Sequence, residues 1–235
     1  MILAIDTATL QAGVALLTLD GALVASRRAR VTTHSEALLT MIAEVFAEAG
    51  LRPDDLRAVA CGAGPGSFTG LRIGLATAKG LCLAIGAPPI PLVLVSSLQA
   101  MALRAPSGAL AVPCIDAFKG EVYAGLYRAG REPRPAAEPV EVVLAPERLR
   151  ARLVEALALG PVCLLGDGVV RFPELAIEGA QCDDTAPPDP ADVGRLAALR
   201  LARGEHDDLA AAVPRYVRAS EVELKFGVIR DPGGD

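Results

Sequence analysis

Residues 62–74 read Gly62-Ala63-Gly64-Pro65-Gly66-Ser67-Phe68-Thr69-Gly70-Leu71-Arg72-Ile73-Gly74, a glycine-rich turn running into a small-residue stretch. The apolar run at 56–61 before it predicts a strand, and the run after it predicts a helix over about 71–85. Glycines in such a turn allow backbone conformations that other residues resist, and free amides at a helix start can hold an anion. The turn lacks the Gly-Lys-Ser/Thr of a P-loop and the spacing of a dinucleotide-binding loop. Two readings therefore stand side by side: a phosphate seat, or a glycine-built turn in which Ser67 or Thr69 caps the next helix. In that helix Gly70, Gly74, Ala78 and Cys82 recur every fourth residue, a face of small side chains suited either to tight core packing or to docking of another helix.

Outward from this block the chain alternates strands and helices. Upstream, the apolar runs at 2–5 and 14–17, with Asp20-Gly21 as a hairpin signal, predict three strands within residues 1–30. Asp6-Thr7-Ala8-Thr9 joins the first two. Thr33-x-x-Glu36 has capping-box spacing and opens a helix whose apolar stripe is Leu38, Met41, Ile42, Val45, Phe46 and Ala49, closed by Gly50. Downstream, Pro88, Pro89 and Pro91 break the chain before another strand–helix unit. A second strand group starts near residue 109 and turns through Asp116-Ala117-Phe118-Lys119-Gly120. Helices are expected over 146–159 and 191–203 and a strand over 162–165, with loops at 129–139 and 183–190. The order predicts an α/β protein of two similar lobes, 1–105 and 106–235, with a tail from about residue 219.

Composition bounds the function. The 235 residues carry 23 Lys and Arg against 28 Asp and Glu, a net charge of −5, and 52% are hydrophobic. That excludes a disordered chain and argues against a domain built mainly to grip phosphate backbones. No unbroken apolar run reaches the ~20 residues of a membrane span, and the first residues lack a basic leader pattern, so a cytoplasmic protein is expected. Aromatics are 3% with no Trp, which makes base-stacking platforms scarce. Five widely spaced cysteines without a Cys-x-x-Cys pair read as reduced, mostly buried thiols.

The quoted blocks, together with Thr33-His34-Ser35-Glu36, Ile115-Asp116…Gly120-Glu121-Val122-Tyr123 and Pro214-x-Tyr216-x-Arg218, resemble the TsaB (YeaZ) family over residues 1–218. The resemblance implies the fold of the actin, Hsp70 and sugar-kinase ATPases (the ASKHA fold), two lobes each with a mixed sheet and helices. It implies a non-catalytic scaffold in the bacterial machinery that places threonylcarbamoyl on N6 of adenosine 37 in ANN-decoding tRNAs. The implied partners are the catalytic paralogue TsaD and the ATPase TsaE, a homodimer when alone, and tRNA only indirectly through the complex. The docking surface is expected on the two helices described above, at His34, Leu38, Leu39, Met41, Ile42, Val45, Phe46, Gly70, Leu71, Gly74, Leu75 and Ala78, with Ala43 and Ala47 as further apolar surplus.

Several features argue against independent chemistry. The paralogue's metal motif, HxxxH, is broken, because the residue four after His34 is Leu38, and the other histidine, His206, falls in an expected exposed loop. Asp6 and Thr7 on one turn, Asp116 on another and Gly166-Asp167-Gly168 resemble a worn nucleotide site. Phe118 and Lys119 stand where small residues would admit a phosphate. ATP or ADP with Mg²⁺ is accordingly expected only at interfaces of the assembled complex, not on the chain alone. A stand-alone small-molecule kinase, or a peptidase using Ser67, is the alternative; Ser67 lacks the Gly-x-Ser-x-Gly elbow.

Overall fold

The computed structural model describes residues 1–30, 34–183 and 187–217, and at 34–36 the backbone alone. Its first half holds β1 (Ile2–Asp6), β2 (Gln11–Leu17), β3 (Leu23–Arg30), α1 (His34–Ala49), β4 (Ala58–Gly62), α2 (Phe68–Ile85), β5 (Leu92–Val95) and α3 (Ser97–Ala102). The second half holds β6 (Leu110–Asp116), β7 (Val122–Gly125), the short β8 (Tyr127–Arg128) and β9 (Arg134–Pro135), and β10 (Glu141–Leu144). It continues with α4 (Pro146–Leu157), β11 (Val162–Leu165), α5 (Asp167–Arg171), β12 (Gln181–Asp183) and α6 (Pro190–Ala202).

The first sheet runs β3-β2-β1-β4-β5 and the main path of the second runs β10-β7-β6-β11-β12. In both, the first three strands form an antiparallel meander, and the next two join the central strand in parallel. With the short β8 and β9 set aside as an insertion off the main path, each lobe is three strands, helix, strand, helix, strand, helix: one topology used twice, the two-lobed ASKHA architecture. The duplication shows in strand order and not in any sequence repeat.

β1 reads as an unbroken apolar run because both its faces are covered. Leu3 and Ile5 pack with α1 and α2, while Ile2 and Ala4 pack with α6. β6 repeats the arrangement, with Ala111 and Ile115 toward α3 and Val112 and Cys114 toward α4. The expected division at residue 105 therefore describes the sheets but not the helices. Leu98, Met101 and Ala102 of α3 sit in the second lobe's core, and Ala191, Val193, Leu196 and Ala197 of α6 sit in the first lobe's. Each lobe lends its last helix to the other. Residues 218–235, including Arg218 and the expected tail, lie outside the described residues, as do Thr33 of the expected capping box and 184–186 of the expected loop.

Polar contacts fasten the crossing. Ser96, which caps α3 by accepting from the Gln99 amide at 3.1 Å, donates its hydroxyl to the Glu141 carboxylate of β10, and the Tyr127 hydroxyl donates to the same oxygen. The Gln99 side chain donates to Pro133 O at 2.9 Å. Beyond α6 the chain runs back over the first lobe. The Asp207 amide donates to Leu92 O at 2.8 Å, its carboxylate accepts from the Leu94 amide at 2.7 Å, and Arg200 donates to Leu94 O at 2.8 Å. Together they cover the open edge of β5, which would otherwise invite another strand.

Candidate functional site

The glycine-rich turn packs onto the turn that follows β1. A Cβ on Gly66 would strike the Ala8 carbonyl, one on Gly62 the Asp6 carboxylate, and one on Gly74 the Thr7 hydroxyl. The Ser67 amide donates to Ala8 O at 2.7 Å, and the Ser67 hydroxyl accepts from the Gly70 amide at 3.2 Å. Ser67 is the N-cap of α2. The turn's glycines serve close approach of backbone to backbone, the Ala63 and Ser67 amides are engaged internally, and Ser67 caps α2 as one of the two sequence readings expects. The same cap uses the one serine weighed as a peptidase nucleophile.

Asp6 and Thr7 are fully buried. The Asp6 carboxylate accepts from the Ala8 amide at 2.9 Å and from the Ser97 hydroxyl at 2.7 Å. Burial raises its pKa from 3.8 to about 6, against the opposing pull of these two bonds. Thr7 donates to Gly70 O at 2.8 Å. Both side chains fix the turn beneath α2, and neither lines the cleft between the lobes.

On the opposite wall Asp116 accepts from the Phe118 amide at 2.8 Å, an Asx turn, and its own amide donates to Asp167 at 3.3 Å. Burial is the main cause of a raised Asp167 pKa. Phe118 and Lys119 both hold left-handed backbone, φ +57° and +55°. Gly166 (φ +101°) precedes α5, and Gly168 lies against Cys114, where a Cβ has no room. Among the described residues no three His, Cys, Asp or Glu side chains are grouped as a metal would need.

Between these walls lies a cleft of about 830 Å³, lined by the two turns and by residues 215–217. The late motif is brought onto the glycine-rich turn: the Arg215 amide donates to Ala63 O at 2.8 Å. The Arg72 guanidinium sits 3.9 Å over the Phe68 ring and donates to the Tyr216 hydroxyl at 3.0 Å, and the Phe68 and Tyr216 rings are 5.1 Å apart. Sequence reasoning missed this stack. Its one available signal was that Phe68, Arg72 and Tyr216 all belong to the family's blocks.

The docking residues divide in a way the sequence did not foresee. Leu38, Met41, Ile42, Val45 and Phe46 are buried against the first sheet, and so are Gly70, Leu71, Gly74, Leu75, Ala78 and Cys82. This corrects their assignment to an outer surface: the small-residue face of α2 lets that helix lie close on β1 and β4, with Thr7 filling the space at Gly74. The His34 side chain lies outside the described residues. Exposed on α1 are Leu39 (60% exposed), Ala43 and Ala47, the apolar surplus named above, beside the polar Thr40, Glu44 and Glu48. On the adjacent α2, beyond Phe68, Thr69 and Arg72 at its start, the exposed residues are Ala76, Gly80, Leu83 (61% exposed) and Ala84. At 18 residues α2 is long and apolar enough to span a membrane by composition, yet one side packs on the sheet. A helix apolar all round keeps an apolar outer side even when its core side is satisfied. Of the cysteines, 61, 82, 114 and 163 are buried and Cys182 is exposed; burial pushes the Cys82 thiol up to about 11.

Comparison with known proteins agrees with this architecture. The family described as TsaD, tRNA N6-adenosine threonylcarbamoyltransferase, matches residues 28–226. The chain is 35% identical over 223 residues to the tRNA threonylcarbamoyladenosine biosynthesis protein TsaB of Escherichia coli, covering 92% of this chain and 94% of that one. It is 35% identical over 128 residues to the Bacillus subtilis protein of the same name, covering 54% and 55%. Among solved structures it is similar to YeaZ from Pseudomonas aeruginosa, with a TM-score of 0.76, 32% identity, and coverage of 92% of this chain and 98% of that chain.

Proposed function

The chain belongs to the TsaB/YeaZ family, and from that premise we propose that it acts in tRNA threonylcarbamoyladenosine biosynthesis as a non-catalytic docking subunit. Its partner is the catalytic paralogue TsaD, and the assembled pair receives TsaE and ATP. The observation that carries the reading is the outer side of α1 and α2. Leu39, Ala43, Ala47, Ala76, Gly80, Leu83 and Ala84 form an exposed apolar, small-surfaced strip on two adjacent helices, beside the exposed Thr40, Glu44 and Glu48. Arg27 of β3, paired with Glu44 at 3.5 Å and Glu48 at 2.5 Å, supplies a charged margin. Such a face meets either the equivalent pair of helices on TsaD or, in its absence, a second copy, and an interface of that kind buries on the order of 1,600 Å² in total.

Three features support a subunit without its own chemistry. Asp6 is enclosed, the Ala63 and Ser67 amides of the glycine-rich turn are hydrogen-bonded internally, and Phe118 occupies the opposite turn. Nucleotide and Mg²⁺ accordingly belong at interfaces of the assembled complex. Reconstitution of threonylcarbamoyl transfer to tRNA with the cognate TsaD, with and without this chain, tests the proposal. Transfer should require the chain, and the chain alone should transfer nothing; equal transfer without it overturns the reading.

A further inference from the structure

The chain has few aromatic residues, five Phe and three Tyr, and the fold collects half of them in one place. Phe68, Phe118, Tyr123 and Tyr216 all line the cleft between the lobes. Phe68 from one lobe and Phe118 from the other remain 43% and 61% exposed. Exposed rings converging on one concavity mark a binding site. Phe118 is moreover held at φ +57°, a conformation that bulky residues rarely adopt and that recurs where function demands it. The Phe68 ring is braced in advance by the Arg72 guanidinium and the Tyr216 ring.

The polar lining narrows the ligand. Arg30, Lys119 and Arg215 bring three cations to the cleft, and Asp116 and Asp167 bring two carboxylates, with Arg171 3.8 Å from the former. Cations suit phosphate, and carboxylates can accept from the exocyclic amine of a base. Gly66 lies against Ala8 and the Ser67 amide is bound to Ala8 O, so the apex of the glycine-rich turn is spent on its neighbour rather than offered to a triphosphate as an amide cradle. A nucleotide within a single strand needs no such cradle: its base stacks on aromatic faces while side-chain cations meet its flanking phosphates.

We propose that the interlobe cleft receives one unpaired nucleotide of an RNA strand, its base stacked among Phe68, Phe118 and Tyr216 and its phosphates met by Arg30, Lys119 and Arg215. The chain's net negative charge makes this a local contact rather than a general affinity for nucleic acid. The strand's source, a tRNA held by the assembled complex, rests on the function proposed above; the binding geometry does not.

The test is fluorescence anisotropy of a labelled single-stranded hexa-adenylate RNA titrated with the full chain alone at low salt. The strand should bind, an RNA duplex should bind far more weakly, and added salt should weaken binding. Phe118→Gly removes the ring while suiting the left-handed backbone, and Tyr216→Ala removes part of the stack. Each should weaken the strand about tenfold with the thermal unfolding curve unchanged. No binding, equal binding of the duplex, or displacement of the strand by an equal concentration of ATP-Mg²⁺ overturns the proposal. So does a Phe118→Gly chain that keeps strand affinity but loses co-purification with TsaD, since the cleft would then serve a protein partner. Threonylcarbamoyl transfer that proceeds without the chain would remove the scaffold reading and leave the strand measurement standing.

Discussion

Two buried residues of the first turn carry testable chemistry. Gly74 is needed because Thr7, donating to Gly70 O, fills the space a Cβ would take. Gly74→Ala should therefore destabilise the chain by about 1–3 kcal/mol in denaturant unfolding. Thr7→Ala removes the colliding oxygen, so the double variant should lose less than the two single losses added together. Simple additivity would mean that the two side chains do not meet. Asp6 makes the second case. Its folded pKa of about 6 lies above the 3.8 of the unfolded chain, so the folded state binds the proton more tightly. Stability is then fully present below pH ~3.8 as far as this group is concerned, and declines as pH rises from there through about 6. The loss attributable to Asp6 is at most roughly 3 kcal/mol at neutral pH. Lowering the pH from 7.5 to 5 should raise the melting temperature of the wild type more than that of Asp6→Asn. Equal responses would show that Asp6 is not what titrates. Its raised pKa could not be read from the sequence, because Asp6-Thr7-Ala8-Thr9 looks equally like a solvated turn until α2 and Ser97 close over it.

Elements were legible where periodicity or glycine chemistry fixed them. The strand expected at 162–165 is β11 itself, and the helix expected over 191–203 is α6 within a residue at each end. α2 begins three residues earlier than expected, at Phe68, because Ser67, one of the two caps the sequence offers, is the residue that caps it. The side a helix turns inward was harder to read. The stripe Gly70, Gly74, Ala78 and Cys82 and the stripe Ala76, Gly80, Leu83 and Ala84 are both small and apolar, and only the sheet beneath decides which is core. The structure puts Gly80 outside, with no atom within 4 Å of an added Cβ. Gly80→Ala should accordingly raise the stability of the isolated chain by about 1 kcal/mol, since glycine in an exposed helix interior costs that much relative to alanine. A destabilised Gly80→Ala chain would place that side of α2 in the core instead.

At the scale of the whole molecule, the two-lobe plan followed from strand order and from the family blocks, while the exchange of α3 and α6 did not. A helix following a parallel strand packs on whichever sheet completes its burial, and that choice is not written in its period. The exchange ties the lobes through both cores, with Ser96, Tyr127 and Glu141 as a polar fastening at the crossing. The stack at Phe68, Arg72 and Tyr216 likewise joins residues 144 positions apart, beyond the reach of local pattern. Function on this account lies on the outside of the first lobe, where α1 and α2 offer an apolar face to a related subunit. Sedimentation of the chain with its cognate TsaD, using Gly80→Trp and Leu83→Arg beside the wild type, tests that claim most directly. Wild type should form a stable heteromeric species. Each variant should keep its melting temperature within about 2 °C, in line with the small effect of surface substitutions, and should sediment apart from TsaD. Variants that fold normally and still co-sediment with TsaD would contradict the account and move the interface elsewhere.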